Sequence, residues 1–120
     1  MSFCWTTLHV NDLEESLEFY QKIVGLEIDR RFEAGPETEI VFLGKDETKL
    51  ELVDDENIKD VNIGDHISLG FTVDSVEQKM NFVQEKNIDI HSGPIEPNPH
   101  IKFFYILDPN GVKIQFVENK

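Results

Sequence analysis

The chain has 120 residues, 39% of them apolar, which is enough to form one domain or two fused half-domains around a real core. Its 24 Asp and Glu against 11 Lys and Arg give a formal net charge of −13 at pH 7, which argues against binding to nucleic acid or to anionic lipid. A single cysteine excludes an intrachain disulfide and a cysteine-based zinc site, and the lack of a leader pattern or an apolar run of about 18 residues favours a soluble, cytoplasmic protein without a membrane span.

The first half of the chain is predicted to form a strand, a helix and three further strands. Asn11 is expected to cap the helix, with Glu14 three positions later completing a capping box. The apolar residues of one helical face are Leu13, Leu17 and Tyr20. The predicted strands are Phe3–Val10, Leu26–Phe32, Glu39–Leu43 and Lys49–Val53.

The same order recurs in the second half, where Asp74 and Glu77 form a second predicted capping box. The apolar stripe returns at Val76, Met80 and Val83, each 63 positions after its counterpart. Gly25 and Asn87 are the residues expected to end the two helices in the left-handed conformation. The predicted strands are Ile67–Val73, Ile88–His91, Lys102–Leu107 and Val112–Val117, with a type I turn at 108–111 between the last two. The repeat therefore predicts two β-α-β-β-β modules, residues 1–56 and 64–120.

Alternation along the strands separates a face for the helix from an open, more polar face. The odd positions of the strand at 67–73 are apolar and should pack beneath the helix, so Ser68 points the other way. Trp5 and Thr7 share the open side of the first strand, as Glu51 and Gln115 do on later strands. A helix covers only one side of each sheet. We therefore expect an α+β fold. Its two modules should form a curled mixed sheet with a concave small-molecule pocket, and the helices should lie on the outer face.

Three stretches carry a resemblance to a known family. They are LHVNDLEESLEFY at 8–20, LGFTVD at 69–74 and DPNGVKIQ at 108–115. In order and spacing they resemble the hallmarks of the glyoxalase/bleomycin-resistance/extradiol-dioxygenase superfamily, also called vicinal oxygen chelate proteins. The resemblance implies paired β-α-β-β-β units, often a homodimer, and a cup-shaped site. Within the family the chain looks most like lactoylglutathione lyase (glyoxalase I), which isomerises the hemithioacetal of methylglyoxal and glutathione on a divalent metal.

The resemblance also implies which residues stand at the metal positions of those lyases, where two His and two Glu come from four strands. The corresponding residues here are Trp5, Glu51, Ser68 and Gln115. An indole N–H only donates hydrogen bonds and an amide is a weak ligand, so Glu51 is the one good metal donor among them. His66, two residues before Ser68, could substitute as a ligand if the strand pairing slips by two.

Two functions therefore stay open. A metal-independent protein that sequesters a small organic molecule, as bleomycin-resistance relatives do, would bind it with Trp5, Thr7, Glu51, Ser68, His100 and Gln115. The alternative is a lactoylglutathione-lyase-like isomerase with an altered site. It would use Glu51 for proton transfer and hold Ni²⁺ or Zn²⁺ with Glu51 and His66. A dioxygenase needs two His and one carboxylate, and only Glu51 falls on a ligand position.

Several of these residues also have a structural interpretation. Trp5 could pack at a seam between modules or subunits, Glu51 could face solvent, and His66 and His100 could be loop residues. Cys4 is expected to point toward the helix as a buried, inert thiol. We expect a homodimer, because pairing of subunits would cover the exposed sheet edges and the open cup.

Overall fold

Each half of the chain folds as a strand, a helix and three further strands, in the order that the sequence repeat predicts. The computed structural model describes residues 1–120 and separates two units, Met1–Asn62 and Ile63–Lys120. Each unit holds one four-stranded mixed sheet, so the predicted α+β class is confirmed. None of the helices has the length and apolar character needed to cross a bilayer.

The first unit contains β1 (Trp5–His9), α1 (Leu13–Glu18), β2 (Ile28–Glu33), β3 (Thr38–Leu43) and β4 (Lys49–Asp55). A π-helical segment, Phe19–Val24, continues α1 and ends at Gly25, which has a φ of 93°. The second unit contains β5 (Ser68–Thr72), α2 (Val76–Glu85), β6 (Ser92–Asn98), β7 (Ile101–Leu107) and β8 (Lys113–Asn119).

Both sheets pair their first strand with their last. The strand order is β1-β4-β3-β2 in the first unit and β5-β8-β7-β6 in the second. β1 runs parallel to β4 with Thr7 opposite Glu51, and β5 runs parallel to β8 with Gly70 opposite Gln115. The remaining neighbours are antiparallel. Along the first and last strands, a residue and its repeat counterpart therefore occupy the same place in the two sheets.

The core of each unit lies between the sheet and its helix. α1 lies against β4, and α2 lies against β7 and β8. The predicted stripe residues Leu13, Leu17, Tyr20, Val76 and Val83 are buried, whereas Met80 is half-buried. Burial of such side chains contributes roughly 1.5–3 kcal/mol each, so the 3.6-residue pattern identifies the residues that hold the helices in place.

Both helices begin one residue later than predicted. The carboxylate of Asp12, not Asn11, caps α1 by accepting the N–H of the third helical residue at 3.1 Å. Ser75, not Asp74, does the same in α2, also at 3.1 Å. The amide oxygen of Asn11 instead accepts the backbone N–H of Val61 at 2.9 Å, which explains why this side chain is unavailable to the helix.

A carboxylate from the last strand provides a further bond at the start of each helix. Asp54 Oδ2 in β4 accepts the N–H of Leu13 at 3.1 Å. Glu118 Oε1 in β8 accepts the N–H of Val76 at 2.8 Å. The first N–H groups of a helix have no partner within it and carry partial positive charge, so an anionic acceptor suits them well. Each helix is thereby attached at its first residue to the last strand of its unit.

Charged side chains also lie on the helix-covered faces. Arg31 in β2 donates to Glu39 in β3 and to Glu14 in α1, and these hydrogen bonds raise the pKa of the guanidinium. Because all three side chains are partly exposed, screening limits what the cluster adds to stability. In the second unit Lys79 lies 5.0 Å from the ring centre of Phe116, and partial burial lowers the pKa of its ammonium.

Seven of the eight strands lie within two residues of their predicted bounds. The prediction of a strand at Ile88–His91 is wrong. The N–H of Ile88 instead bonds to the carbonyl of Val83 and completes the end of α2, after Asn87 with its predicted left-handed φ of 63°. The real strand, β6, contains Pro94 and Pro97. It lies at the sheet edge with shifted register, where residues without an N–H are tolerated.

Cys4 is exposed, so the prediction of a buried thiol is wrong. The ladder of β1 begins only at Trp5, and Cys4 therefore precedes the part of the strand whose alternate residues pack beneath α1.

The predicted turn between β7 and β8 is present and is built around a buried carboxylate. The N–H of Gly111 bonds to the carbonyl of Asp108 at 3.0 Å, as a type I turn requires. The side chain of Asp108, only 5% exposed, accepts the N–H groups of Asn110 at 2.8 Å and Val112 at 2.9 Å. Asp108 thereby accepts hydrogen bonds from two backbone N–H groups of the turn that would otherwise have no partner in it.

Replacing Asp108 with Ala is expected to lower the free energy of unfolding by about 1–3 kcal/mol, because buried N–H groups lose an anionic acceptor. Asp55 offers a matched control, since its Oδ1 accepts the N–H of Asn57 at 2.9 Å in an exposed turn where water can replace it. Asp55→Ala should lose less than about 1 kcal/mol in the same urea titration. Equal losses for the two variants would contradict this account.

Candidate functional site

The uncovered face of the first sheet brings three predicted site residues together. Because β1 and β4 are parallel, with Trp5 opposite Lys49 and Thr7 opposite Glu51, these four side chains share one face. Thr7 Oγ1 donates a hydrogen bond of 2.5 Å to Glu51 Oε1. Further along β1 on the same face, Nδ1 of His9 is buried without a hydrogen-bond partner. This face therefore offers a carboxylate, a hydroxyl and an imidazole.

Four side chains on the same face form what we call the aromatic cluster: Trp5, Arg30, Phe32 and Phe42. Phe42 is its buried centre, meeting the Trp5 ring edge-on at 5.2 Å and the Phe32 ring in a stacked arrangement at 6.3 Å. The guanidinium of Arg30 lies 4.4 Å from the Phe42 ring centre. Trp5 and Phe32 remain 46% and 40% exposed. Exposed flat rings beside a cation can bind a planar organic molecule by stacking.

The second sheet repeats this arrangement with smaller side chains. Ser68 and Gly70 occupy the places of Trp5 and Thr7, and Gln115 lies opposite Gly70. A Cβ added at Gly70 would be 3.3 Å from Oε1 of Gln115, so the amide lies directly over this glycine. The second unit thus has a neutral amide where the first has a carboxylate.

A cavity of about 260 Å³ opens beside β5 in the second unit. It is lined by Asp65, His66, Ile67, Ser68, Ser92, Tyr105 and Lys113. His66 lies in the bend before β5, outside the ladder, whose pairing begins with Ser68 opposite Lys113. The two-residue slip that would place His66 at the ligand position of Ser68 is therefore not adopted, although both residues line the cavity.

His100 does not join the other predicted residues of the second unit. It lies in the turn between β6 and β7, where its N–H donates to Oδ1 of Asn98 at 2.8 Å and its carbonyl accepts the N–H of Lys120. Tyr105, the cavity residue on β7, is five residues further along, which is about 17 Å of extended strand. His100 is thus at the opposite end of this sheet from the cavity.

The donor set does not fit a lyase-type metal centre. No three His, Cys, Asp or Glu side chains cluster in a way that would hold a metal ion. Of the four positions that the resemblance equates with metal ligands, Trp5 presents an N–H that cannot ligate, and Ser68 and Gln115 are neutral. The carboxylate of Glu51 already accepts a hydrogen bond from Thr7. One carboxylate does not compensate a divalent cation for its lost hydration.

Arg30, Phe32 and Phe42 are functional candidates that the sequence did not indicate. Phe42 lies opposite Glu51 and therefore shares its open face. The sequence alone did not show this, because it did not reveal how β3 pairs with β4. Arg30 and Phe32 were harder to place, because the register between β2 and β3 shifts between Ile28 and Arg30. Such an irregularity changes which residues of a strand share a face.

Comparison with known proteins gives consistent matches over the length of the chain. Residues 2–116 match the model of the Glyoxalase/Bleomycin resistance protein/Dioxygenase superfamily. The lactoylglutathione lyase of Haemophilus influenzae is 30% identical over 131 residues, covering 100% of this chain and 94% of that protein. The lactoylglutathione lyase of Escherichia coli O157:H7 is 28% identical with the same coverage.

Solved structures share the fold at lower identity. Glyoxalase I of Leishmania major superposes with a TM-score of 0.85 at 20% identity, covering 98% of this chain and 86% of that one. The antibiotic-binding protein TnmS3 from Streptomyces sp. CB03234 superposes with a TM-score of 0.78, also at 20% identity, covering 100% and 97%. One of these neighbours is an enzyme and the other a binding protein, so the fold alone does not decide between the two functions.

Proposed function

Because the chain belongs to the glyoxalase/bleomycin resistance protein/dioxygenase superfamily, we propose that it captures a small organic molecule and does so without a metal centre. The observation that carries this proposal is the identity of Trp5. At the position where the related lyases are expected to carry their first metal-binding His, this chain has an indole that joins the aromatic cluster. An aromatic surface thus replaces a metal ligand.

The aromatic cluster suggests the kind of ligand. Trp5 and Phe32 expose flat apolar rings, and Arg30 adds positive charge beside them. A planar, conjugated molecule would stack on these rings, with about 0.5–1.5 kcal/mol from each ring pair beyond area burial. Glu51 and Thr7 on the same face would fix its orientation through hydrogen bonds. In the second sheet, Ser68 and Gln115 are the polar side chains that could contact a ligand. His100 lies in the distant turn between β6 and β7, and its position does not support a role in binding.

Such binding can be tested directly with 1-anilinonaphthalene-8-sulfonate, an aromatic anion whose flat naphthalene ring suits the cluster and whose charge complements that of Arg30. Saturable binding at one site is expected, and Trp5→Ala should weaken it about 10-fold, or 1.4 kcal/mol. Ile58→Ala removes a side chain of similar exposure, 43%, elsewhere in the same unit and should leave the affinity unchanged. Equal affinities of these two variants in a fluorescence titration would overturn the proposed role of the cluster.

A lactoylglutathione-lyase-like isomerase is the alternative function. It is favoured by the 30% identity with a lyase over the whole chain and by Glu51, which keeps a carboxylate on the open face. In that case Glu51 would move the proton of the hemithioacetal, and Ni²⁺ or Zn²⁺ would supply Lewis acidity. The poor donor set makes this the weaker of the two candidates.

Metal analysis separates these functions. Purified protein supplied with Ni²⁺ or Zn²⁺ is expected to retain far less than one ion per chain after dialysis, and to leave the methylglyoxal–glutathione hemithioacetal unconverted. The reason is that three of the four ligand positions hold poor donors. One tightly held ion per chain, together with turnover that Glu51→Gln abolishes, would establish the isomerase instead.

We also propose that the protein is a cytoplasmic homodimer. β1 and β2 are the edges of the first sheet, and β5 and β6 are those of the second. Met1 and Phe3, which precede β1, expose apolar surface that a second copy would cover. The single cysteine, exposed and unpaired by any disulfide, is compatible with a reducing compartment.

Sedimentation velocity at micromolar concentration is expected to show a species of twice the chain mass of 13.9 kDa. Phe3→Glu places a charge in the exposed apolar stretch and should shift the equilibrium toward monomer by desolvation and repulsion. A wild-type protein that sediments as a monomer throughout this range would rule the dimer out.

A further inference from the structure

We propose that the cavity of the second unit binds the head group of a small monoanionic acid, with Lys113 as the cation that recognises it. The inference rests on the proposed function in one respect, since it takes the open face of the second sheet as a binding surface. It assigns to that surface a ligand chemistry different from the stacking expected at the aromatic cluster.

Lys113 is a cation without a partner in a strongly acidic chain. The chain has an excess of 13 acidic over basic residues, and most of its cations contact carboxylates, backbone carbonyls or aromatic rings. Lys113 is half-buried at the start of β8 and takes part in no ion pair or hydrogen bond through its side chain. A partly desolvated ammonium with three free donors in an acidic protein is a natural anion contact.

Several neutral hydrogen-bond donors line the cavity together with Lys113. Ser68 lies opposite Lys113, and Ser92 lies opposite Tyr105, so all four side chains belong to the face away from α2. The hydroxyls of Ser68, Ser92 and Tyr105 and the imidazole of His66 have no protein partner either. Each can donate a hydrogen bond to an oxyanion. The cavity therefore combines one cation with several neutral donors that no other part of the protein uses.

The repeat places a second lysine at the equivalent position of the first sheet. Lys49 is the counterpart of Lys113, and it lies opposite Trp5 just as Lys113 lies opposite Ser68. In the first unit the ammonium of Lys49 donates to the carbonyl of Gly44 at 2.9 Å, and the neighbouring position is filled by an indole. In the second unit a serine replaces that indole, so the space beside the lysine is open and the lysine itself is unsatisfied.

The lining also indicates the charge and size of the ligand. Asp65 is the one carboxylate in the cavity, and it disfavours a dianion such as phosphate while offering an acceptor to a hydroxyl or ammonium group. A volume of about 260 Å³ is below the roughly 300–1,000 Å³ of pockets for drug-sized ligands, which favours a small ligand. A short hydroxy acid, with one carboxylate for Lys113 and one hydroxyl for Asp65, fits both requirements.

The test uses the whole chain and three probes at constant ionic strength: 2-hydroxybutyrate, butyrate and inorganic phosphate. In two-dimensional NMR titrations, 2-hydroxybutyrate is expected to shift the amide signals of Ser68, Ser92, Tyr105 and Lys113 saturably. It should bind more tightly than butyrate, which lacks the hydroxyl, and more tightly than phosphate. Tighter binding of phosphate at the same residues would overturn the assignment of a monoanion.

Lys113→Met keeps the aliphatic stem and should weaken 2-hydroxybutyrate binding at least 10-fold. Lys102→Met is the matched control, because it also removes one positive charge from this sheet, from a residue of β7 outside the cavity. Ser68→Trp reproduces the arrangement of the first unit and should block the cavity. Equal weakening by the two lysine variants, or unimpaired binding to Ser68→Trp, would overturn the proposal.

The two probes distinguish failure of the proposed cavity site from failure of the proposed function. Binding of the anilinonaphthalene probe reports on the aromatic cluster in the first unit, and Lys113→Met should leave it unchanged. Loss of stacking with retained hydroxy-acid binding would refute the cluster alone, whereas the reverse result would refute the cavity alone.

Discussion

The parallel pairing of the first strand with the last in each unit decides where the functional side chains lie. It sets Thr7 against Glu51 and Gly70 against Gln115, and alternation then assigns every neighbouring residue to the helix or to the open face. A slip of one residue would bury Glu51 beneath α1 and expose the core. The bonds from Asp54 and Glu118 to the first N–H of each helix hold α1 and α2 against the strands that fix this register.

One scaffold thus carries two different surfaces. The first sheet places an indole, a carboxylate and a hydrogen-bonded lysine on its open face, and the second places a serine, an amide and an unpaired lysine at the equivalent places. Since the register of the first strand against the last is equivalent in the two units, the difference at these places lies in side-chain volume and charge. The position that Trp5 fills in the first unit is held by the small Ser68 in the second, where it lines a cavity.

Much of the architecture follows from local patterns, because helix stripes and strand alternation are short-range signals. The repeat predicted the α+β class, and alternation correctly placed Trp5, Thr7 and Glu51 on one face. The predictions that were wrong or incomplete concern strand pairing, which no local sequence pattern encodes. The shifted register beside Arg30 concealed half of the aromatic cluster, and β6 was misplaced because its prolines are tolerated only at an edge. His66 and His100 lie in a bend and a turn, whose course depends on the strands they connect.

The prolines of β6 have a consequence for how copies of this chain meet. Two of the seven residues in this outer strand lack an N–H group, so a foreign strand laid alongside it would find an interrupted row of donors. Continuous intermolecular sheet, the route by which β-rich proteins form fibrils, is therefore discouraged along this border. Strand pairing between copies of the chain can instead use the other edge strands, β1, β2 and β5, which contain no proline.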